Sequence, residues 1–232
     1  MKDLSAIVLL SGGMDSTISL FWALDQGYQV HSAISIDYGQ RHSIELESAK
    51  KICQIAGIKQ FTTPISVFAQ AEDSALVDNT SDVVTDHHPS HPTLPASFVP
   101  GRNILFLTIA AVFAHRFQVK NIITGVCQTD SSGYPDTRAN TIKALNVTLN
   151  LGMDSDFEIV TPLMYLTKAE SILAIFTFEV INRCLKALSY TYTCYEGKVP
   201  PCMKCPACIL RAKGFKEAHT HDPLLARLQR EK

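Results

Sequence analysis

The sequence predicts an α/β fold, a doubly wound and mostly parallel five-stranded sheet followed by a small C-terminal module. Three observations predict it. Short apolar runs alternate with stretches of helical apolar spacing along most of the 232 residues. The first run, Ala6 to Leu10, ends in a glycine turn that opens a helix, as at the carboxyl edge of a parallel sheet. From about Tyr190 onward the composition shifts to Cys, Lys, Pro and Gly.

Ala6 to Leu10 is continuously apolar, which suits a strand buried on both faces. Ser16 to Gln26 carries apolar residues at helical spacing, and Gly27 stops it. Val30 to Ile36 is a second strand, Ser43 to Ala56 a second helix ended by Gly57, and Lys59 to Ile65 a third strand. Ser66 to Gly101 shows neither period and is rich in Asp, Ser, His and Pro, so it reads as a long loop. Asn103 to Phe117 is a strongly apolar helix, Asn121 to Gly125 a fourth strand, and Ala139 to Leu151 a helix. Glu158 to Leu163 is a fifth strand. Thr167 to Asn182 is a helix capped by Thr167, with Glu170 three residues on. No internal repeat is visible.

With 46% hydrophobic residues, the chain can bury one sizeable core. Its 21 basic and 22 acidic side chains leave a net charge of −1 and form no block of like charges, so a broad nucleic-acid-binding face is not expected. The apolar run near the N-terminus is too short for a secretory segment, and no run is long enough to span a membrane. Seven cysteines, an odd number, suit the reducing cytoplasm.

The turn Ser11-Gly12-Gly13-Met14-Asp15-Ser16-Thr17 carries the first chemical signal. Glycines let backbone approach a ligand, and the helix start offers free N–H groups and partial positive charge suited to phosphate. Ser11, Ser16 and Thr17 add hydroxyls. The turn lacks the lysine of a Walker loop and the Gly-x-Gly-x-x-Gly of a dinucleotide loop. Asp15 repels phosphate unless Mg²⁺ lies between them.

The second signal is Cys194-x7-Cys202-x2-Cys205-x2-Cys208. Four thiolates suit a closed tetrahedral Zn²⁺ site, an iron–sulfur cluster or redox pairing, and ligand type and count favour zinc. Cys53, Cys127 and Cys184 read as core filling. His87, His88 and His91 could bind metal, but the Pro and Ser around them favour a solvated loop, with a lid over the substrate as one role for it.

The SGGMDS string resembles the pyrophosphate loop (PP-loop) of the N-type ATP pyrophosphatases. Further strings extend the likeness: DYGQRH from Asp37, FVPGRN from Phe98, TGVCQTD from Thr124, SGYPDTR from Ser132, TPL from Thr161 and LRAKGF from Leu210. Together with the cysteine spacing they resemble the 7-cyano-7-deazaguanine synthase (QueC) family over nearly the whole chain. The resemblance implies an adenine nucleotide alpha hydrolase-like sheet and a division into a PP-loop catalytic domain, residues 1–189, and a zinc-binding module, residues 190–232. It implies ATP-dependent conversion of 7-carboxy-7-deazaguanine and ammonia to the nitrile through adenylated intermediates, in queuosine biosynthesis. It also implies one structural Zn²⁺ per subunit, Mg²⁺, and a homodimer without nucleic-acid or membrane partners.

On the same resemblance, Leu10, Ser11, Gly12, Gly13, Met14, Asp15, Ser16, Thr17, Ile18, Ser19 and Leu20 form the ATP-binding segment. Arg102 and Asn103, at a helix start, are placed for an anion; a surface arginine beside a helix-capping asparagine is the plainer reading. Asp130 and Asp136 are assigned to metal or to N–H groups of the deazaguanine, Tyr134 to stacking on it, and Arg138 to the same subsite. Asp15, Arg102, Asp130 and Asp136 are the candidate catalytic residues. Two departures stand out: Thr137 replaces the cysteine expected after SGYPD, and Phe176 to Tyr190 lacks the usual acidic or histidine-bearing run. The rivals are a PP-loop enzyme that thiolates or adds amines to tRNA, which the near-neutral charge disfavours, and a non-catalytic zinc-ribbon module.

Overall fold

The computed structural model describes residues 3–39, 44–68, 87–88, 91–95, 97–129 and 133–231. The chain runs through β1 (Ser5–Leu9), α1 (Met14–Asp25), β2 (Gln29–Asp37), α2 (Ile44–Ala56) and β3 (Lys59–Pro64). A short antiparallel pair follows, β4 (His87–His88) and β5 (His91–Pro95). Then come α3 (Arg102–Phe117), β6 (Asn121–Ile123), α4 (Ala139–Met153) and β7 (Glu158–Val160). The remainder is helical: α5 (Lys168–Ala174), α6 (Ile181–Leu188), α7 (Pro206–Glu217) and α8 (Pro223–Arg230).

The main sheet has five parallel strands in the order β3-β2-β1-β6-β7. Side chains alternate across a strand, so β1 feeds both faces. Ala6 and Val8, with Leu10 beyond, pack toward α1 and α6 with Ile18, Phe21 and Leu188. Ile7 packs toward α3 and α4 with Leu107, Ala110, Ala114, Ile142 and Leu149. Burial on both faces is why β1 reads as an unbroken apolar run. The chain winds outward from β1 to β3, then returns to β6 on the other side of β1. That reversal leaves a crevice beyond the carboxyl ends of β1 and β6, where α/β sheets bind ligands.

Some expected boundaries shift. β6 stops at Ile123 and β7 at Val160, so Thr124–Gly125 and Thr161–Leu163 lie in the loops beyond the sheet. The expected loop from Ser66 to Gly101 contains the β4–β5 pair, and the backbone of His87, His88 and His91 runs in it. The expected helix from Thr167 to Asn182 is two helices. Its start is right: Thr167 Oγ1 accepts from the Glu170 N–H, and Glu170 returns the contact to the Thr167 N–H. It ends at Ala174 because Thr177 Oγ1 donates to the Ala174 carbonyl at 2.7 Å and Asp25 accepts the Glu179 N–H at 2.6 Å. The chain tightens there into a 3-10 turn over Ile175–Thr177 and leaves it in extended backbone at Phe178.

Beyond residue 190, Phe215 and Ala218 join the same apolar cluster as Phe21 and Ile172. Arg211 binds both carboxylate oxygens of Asp222, at 2.6 and 2.8 Å. Its remaining N–H groups reach Thr191 and Thr193 hydroxyls at 2.8 and 3.0 Å. Asp222 in turn caps α8 through the Leu224 N–H.

Candidate active site

The SGGMDST turn is held by its own hydroxyls. Thr17 Oγ1 and Ser16 Oγ donate to the Gly13 carbonyl at 2.8 and 3.2 Å. Ser16 Oγ also accepts the Ser11 N–H at 3.3 Å and lies 3.1 Å from Ser11 Oγ. No side chain caps α1, so the N–H groups of its first turn are left without a side-chain acceptor, as at an anion-binding helix start. Two glycines are required here by space. A Cβ on Gly12, whose φ is 87°, would lie 2.2 Å from the Glu45 carbonyl oxygen. A Cβ on Gly125 would lie 2.6 Å from the Ser16 nitrogen. The loop is thus pressed between α2 and the segment after β6.

A cavity of about 310 Å³ opens at this point. Leu10, Ser11, Gly13, Met14, Asp15 and Ser16 line one end. Arg102, Asn103 and Tyr134 line it as well, with Tyr38, Glu45, Phe106 and Tyr195. The Arg102 guanidinium sits 5.9 Å from the ring centres of both Tyr38 and Tyr134. Tyr134 is buried, its hydroxyl 2.6 Å from Ser97 Oγ. Thr137 also lines the cavity and donates to the Tyr134 carbonyl at 2.9 Å.

Other expected site residues lie elsewhere. Thr17, Ile18, Ser19 and Leu20 are fully buried behind the loop, and Ile18 and Leu20 belong to the core. Asp136 is buried, and one oxygen accepts the Asn103 N–H at 2.9 Å, capping the start of α3. Its other oxygen has no partner among the described residues. Arg138 is exposed at the start of α4. Asp130 lies outside the described residues.

Two cavity residues were not singled out from the sequence. Lys168 grips Asp15 through both carboxylate oxygens, at 2.8 and 2.7 Å. The loop therefore has a lysine after all, supplied by α5. A cation in the first turn of a helix opposes the macrodipole, and that misplacement was its one sequence signal. Glu45, in the first turn of α2, is half-buried and makes no hydrogen bond to a described residue. Burial raises its carboxyl to about 7, against the opposing pull of Arg102. Burial likewise raises the Tyr38 hydroxyl to about 12.

The four C-terminal sulfurs lie within 4.8 Å of one another. The Cys202 N–H points at Cys194 Sγ and the Cys205 N–H at Cys202 Sγ, at 3.4 and 3.3 Å. Such donors stabilise thiolates. Cys205 begins α7 with Pro206 behind it, and its thiol is held low by the Cys208 thiol and by backbone N–H groups. This cluster could hold a metal ion. It adjoins the loop, because the Tyr192 N–H donates to the Gly12 carbonyl at 2.9 Å. Cys53, Cys127 and Cys184 are buried, and burial raises the Cys53 and Cys184 thiols.

Comparison with known proteins identifies the family. A 7-cyano-7-deazaguanine synthase of Chromobacterium violaceum is 50% identical over 99% of this chain and 97% of its own length. One from Laribacter hongkongensis is 49% identical over 96% of this chain and 95% of its own. Among solved structures, one titled as a predicted subunit of tRNA methyltransferase from Methanocaldococcus jannaschii covers 73% of each chain, with 19% identity and a TM-score of 0.48. The family model described as "Queuosine biosynthesis protein QueC" matches residues 5–219. The chain therefore belongs to the QueC family of queuosine biosynthesis proteins.

Proposed function

We propose that the chain is an ATP-dependent ligase that converts 7-carboxy-7-deazaguanine and ammonia to 7-cyano-7-deazaguanine. The observation that carries this reading is one cavity shared by the SGGMDST loop, Lys168, and a wall of Arg102, Tyr38 and Tyr134. Half-identity to synthases of that name over nearly the full chain supports the choice of substrate.

A carboxylate is a poor acyl donor, and transfer of AMP turns its oxygen into a leaving group. The loop amides and hydroxyls would hold the departing pyrophosphate, with Lys168 as the nearby cation. Asp15 and phosphate oxygens together suit Mg²⁺, which would offset the pyrophosphate charge. Arg102 is placed to bind the substrate carboxylate, and Tyr38 and Tyr134 offer faces for the flat base. The assignments of Asn103, Asp136 and Arg138 to substrate remain part of this reading. The test is stoichiometry: AMP release should need both substrates, with two AMP and two pyrophosphate formed per nitrile. One AMP per product, with the amide accumulating, would refute nitrile synthesis.

The cysteine cluster suits zinc. Tetrahedral Zn–S bonds of about 2.3 Å set sulfurs ~3.8 Å apart, and the compact thiolate set fits that spacing better than a cubane cluster, which holds its thiolates further out. Seven unpaired cysteines go with a reducing cytoplasmic location. A homodimer is supported by the outer faces of α3 and α4, where Val112, Val147 and Leu151 are 56%, 58% and 81% exposed. Light scattering at the monomer mass would refute it.

A further inference from the structure

We propose that the Glu45 carboxylate is the base that takes the proton from ammonia as its nitrogen attacks the activated carboxyl carbon. The inference rests on the ligase reading and adds a residue to it. Ammonia addition needs a proton acceptor. The nitrogen becomes positively charged as the C–N bond forms, and it must lose a proton before the C–O bond to AMP can break cleanly. AMP leaves with the electron pair of that bond, and the proton passes to Glu45 and then to solvent.

Elimination within the cavity points to Glu45. No histidine lines it among the described residues. Its two carboxylates among the described residues are Asp15 and Glu45, and Asp15 is bound through both oxygens by Lys168. The thiol of Cys127 is engaged with the Leu166 carbonyl and the Thr129 hydroxyl. The Tyr38 hydroxyl is pushed upward by burial, so it stays protonated at neutral pH, and the Tyr192 hydroxyl donates to the Lys198 carbonyl at 3.1 Å. Among the described acids that line the cavity, Glu45 is the one with no hydrogen bond to a described residue.

Position supports the same assignment. The Glu45 backbone packs on Gly12, and Glu45 lines the same cavity as Ser11 and Gly13 of the loop that would hold the pyrophosphate. The charged and titratable groups facing it are Arg102 from α3, Tyr38 from the end of β2, and Tyr192 and Tyr195 from the segment before α7. Arg102 keeps the carboxylate from being fully suppressed, while burial raises its proton affinity toward neutrality. A base poised near the working pH is the efficient one.

The test separates the half-reactions in Glu45→Gln, an isosteric change. With ATP and 7-carboxy-7-deazaguanine but no ammonia, pyrophosphate–ATP exchange should persist within about tenfold of wild type. Nitrile formation should fall by roughly 100-fold or more. Plotted against free ammonia, the wild-type rate should rise with pH through about 7, a limb that the variant lacks. Nitrile formation within about threefold of wild type would overturn the proposal. So would equal loss of exchange and nitrile, which would make Glu45 a binding residue. Should the variant not fold, a flat wild-type profile across about pH 5.5–8.5 would overturn it. Absence of substrate-dependent exchange in wild type would instead refute the ligase reading.

Discussion

Replacing Gly125 by alanine drives a single methyl group into the start of α1. The added carbon would sit 2.6 Å from the Ser16 nitrogen, 2.7 Å from the Asp15 carbonyl carbon and 2.9 Å from its oxygen. Carbon contacts relax at about 3.5 Å, so the first turn of α1 must retreat by roughly 1 Å. All three neighbours are backbone, and no side chain can rotate away. Overpacking of this kind costs about 1–3 kcal/mol, and the upper end applies here. The same 1 Å moves the N–H groups of the pyrophosphate site, which predicts an ATP affinity lowered by about 10- to 100-fold. Urea unfolding gives the first quantity and calorimetric ATP titration the second. Gly152→Ala is the control. It lies in α4 with nothing within 4 Å of the added carbon, and should stabilise by up to ~1 kcal/mol. A Gly125→Ala protein as stable as wild type, with unchanged ATP affinity, would refute the steric reasoning.

Three other outcomes follow from the same geometry. Lys168→Ala leaves Asp15 without its cation, and ATP affinity should fall roughly tenfold to a hundredfold; calorimetry showing no change would remove Lys168 from the phosphate site. Cys205→Ala deletes one sulfur of four, so the purified protein should lose its bound metal and melt lower, as elemental analysis and thermal scans would show. Glu45 gives a pH-dependent stability: its folded pKa, about 7, is above the ordinary 4.5, so its contribution is complete below 4.5 and is lost as pH rises through 7. That rise corresponds to about 3 kcal/mol, reduced to about 2 by solvent at this half-buried site. Glu45→Gln should therefore be more stable than wild type at pH 8 by about that amount, and not at pH 4; equal unfolding midpoints at pH 8 would contradict it.

The sheet was legible because its strands are buried on both faces. Ala6–Leu10 and Val30–Ile36 announce themselves by composition, and Gly27 and Gly57 mark the helix ends. The loop was legible because residues adjacent in sequence perform one task. The break after Ala174 was not, because it depends on Asp25, far away in sequence, accepting the Glu179 N–H. The β4–β5 pair escaped because it is too short to show a period. Lys168 and Glu45 were missed for the same physical reason. Each looks like an ordinary charge in a first helical turn, and only the fold brings them to Asp15 and Arg102. Asp136, a candidate by motif, gives one oxygen to the start of α3, and its other oxygen has no partner among the described residues.

The most direct test is mass spectrometry of the products formed from 7-carboxy-7-deazaguanine, ATP, Mg²⁺ and ¹⁵N-ammonia with metal-loaded protein. The account predicts 7-cyano-7-deazaguanine carrying one ¹⁵N, with AMP and pyrophosphate. Folded protein that forms no AMP, or forms AMP without labelled nitrile, would contradict it.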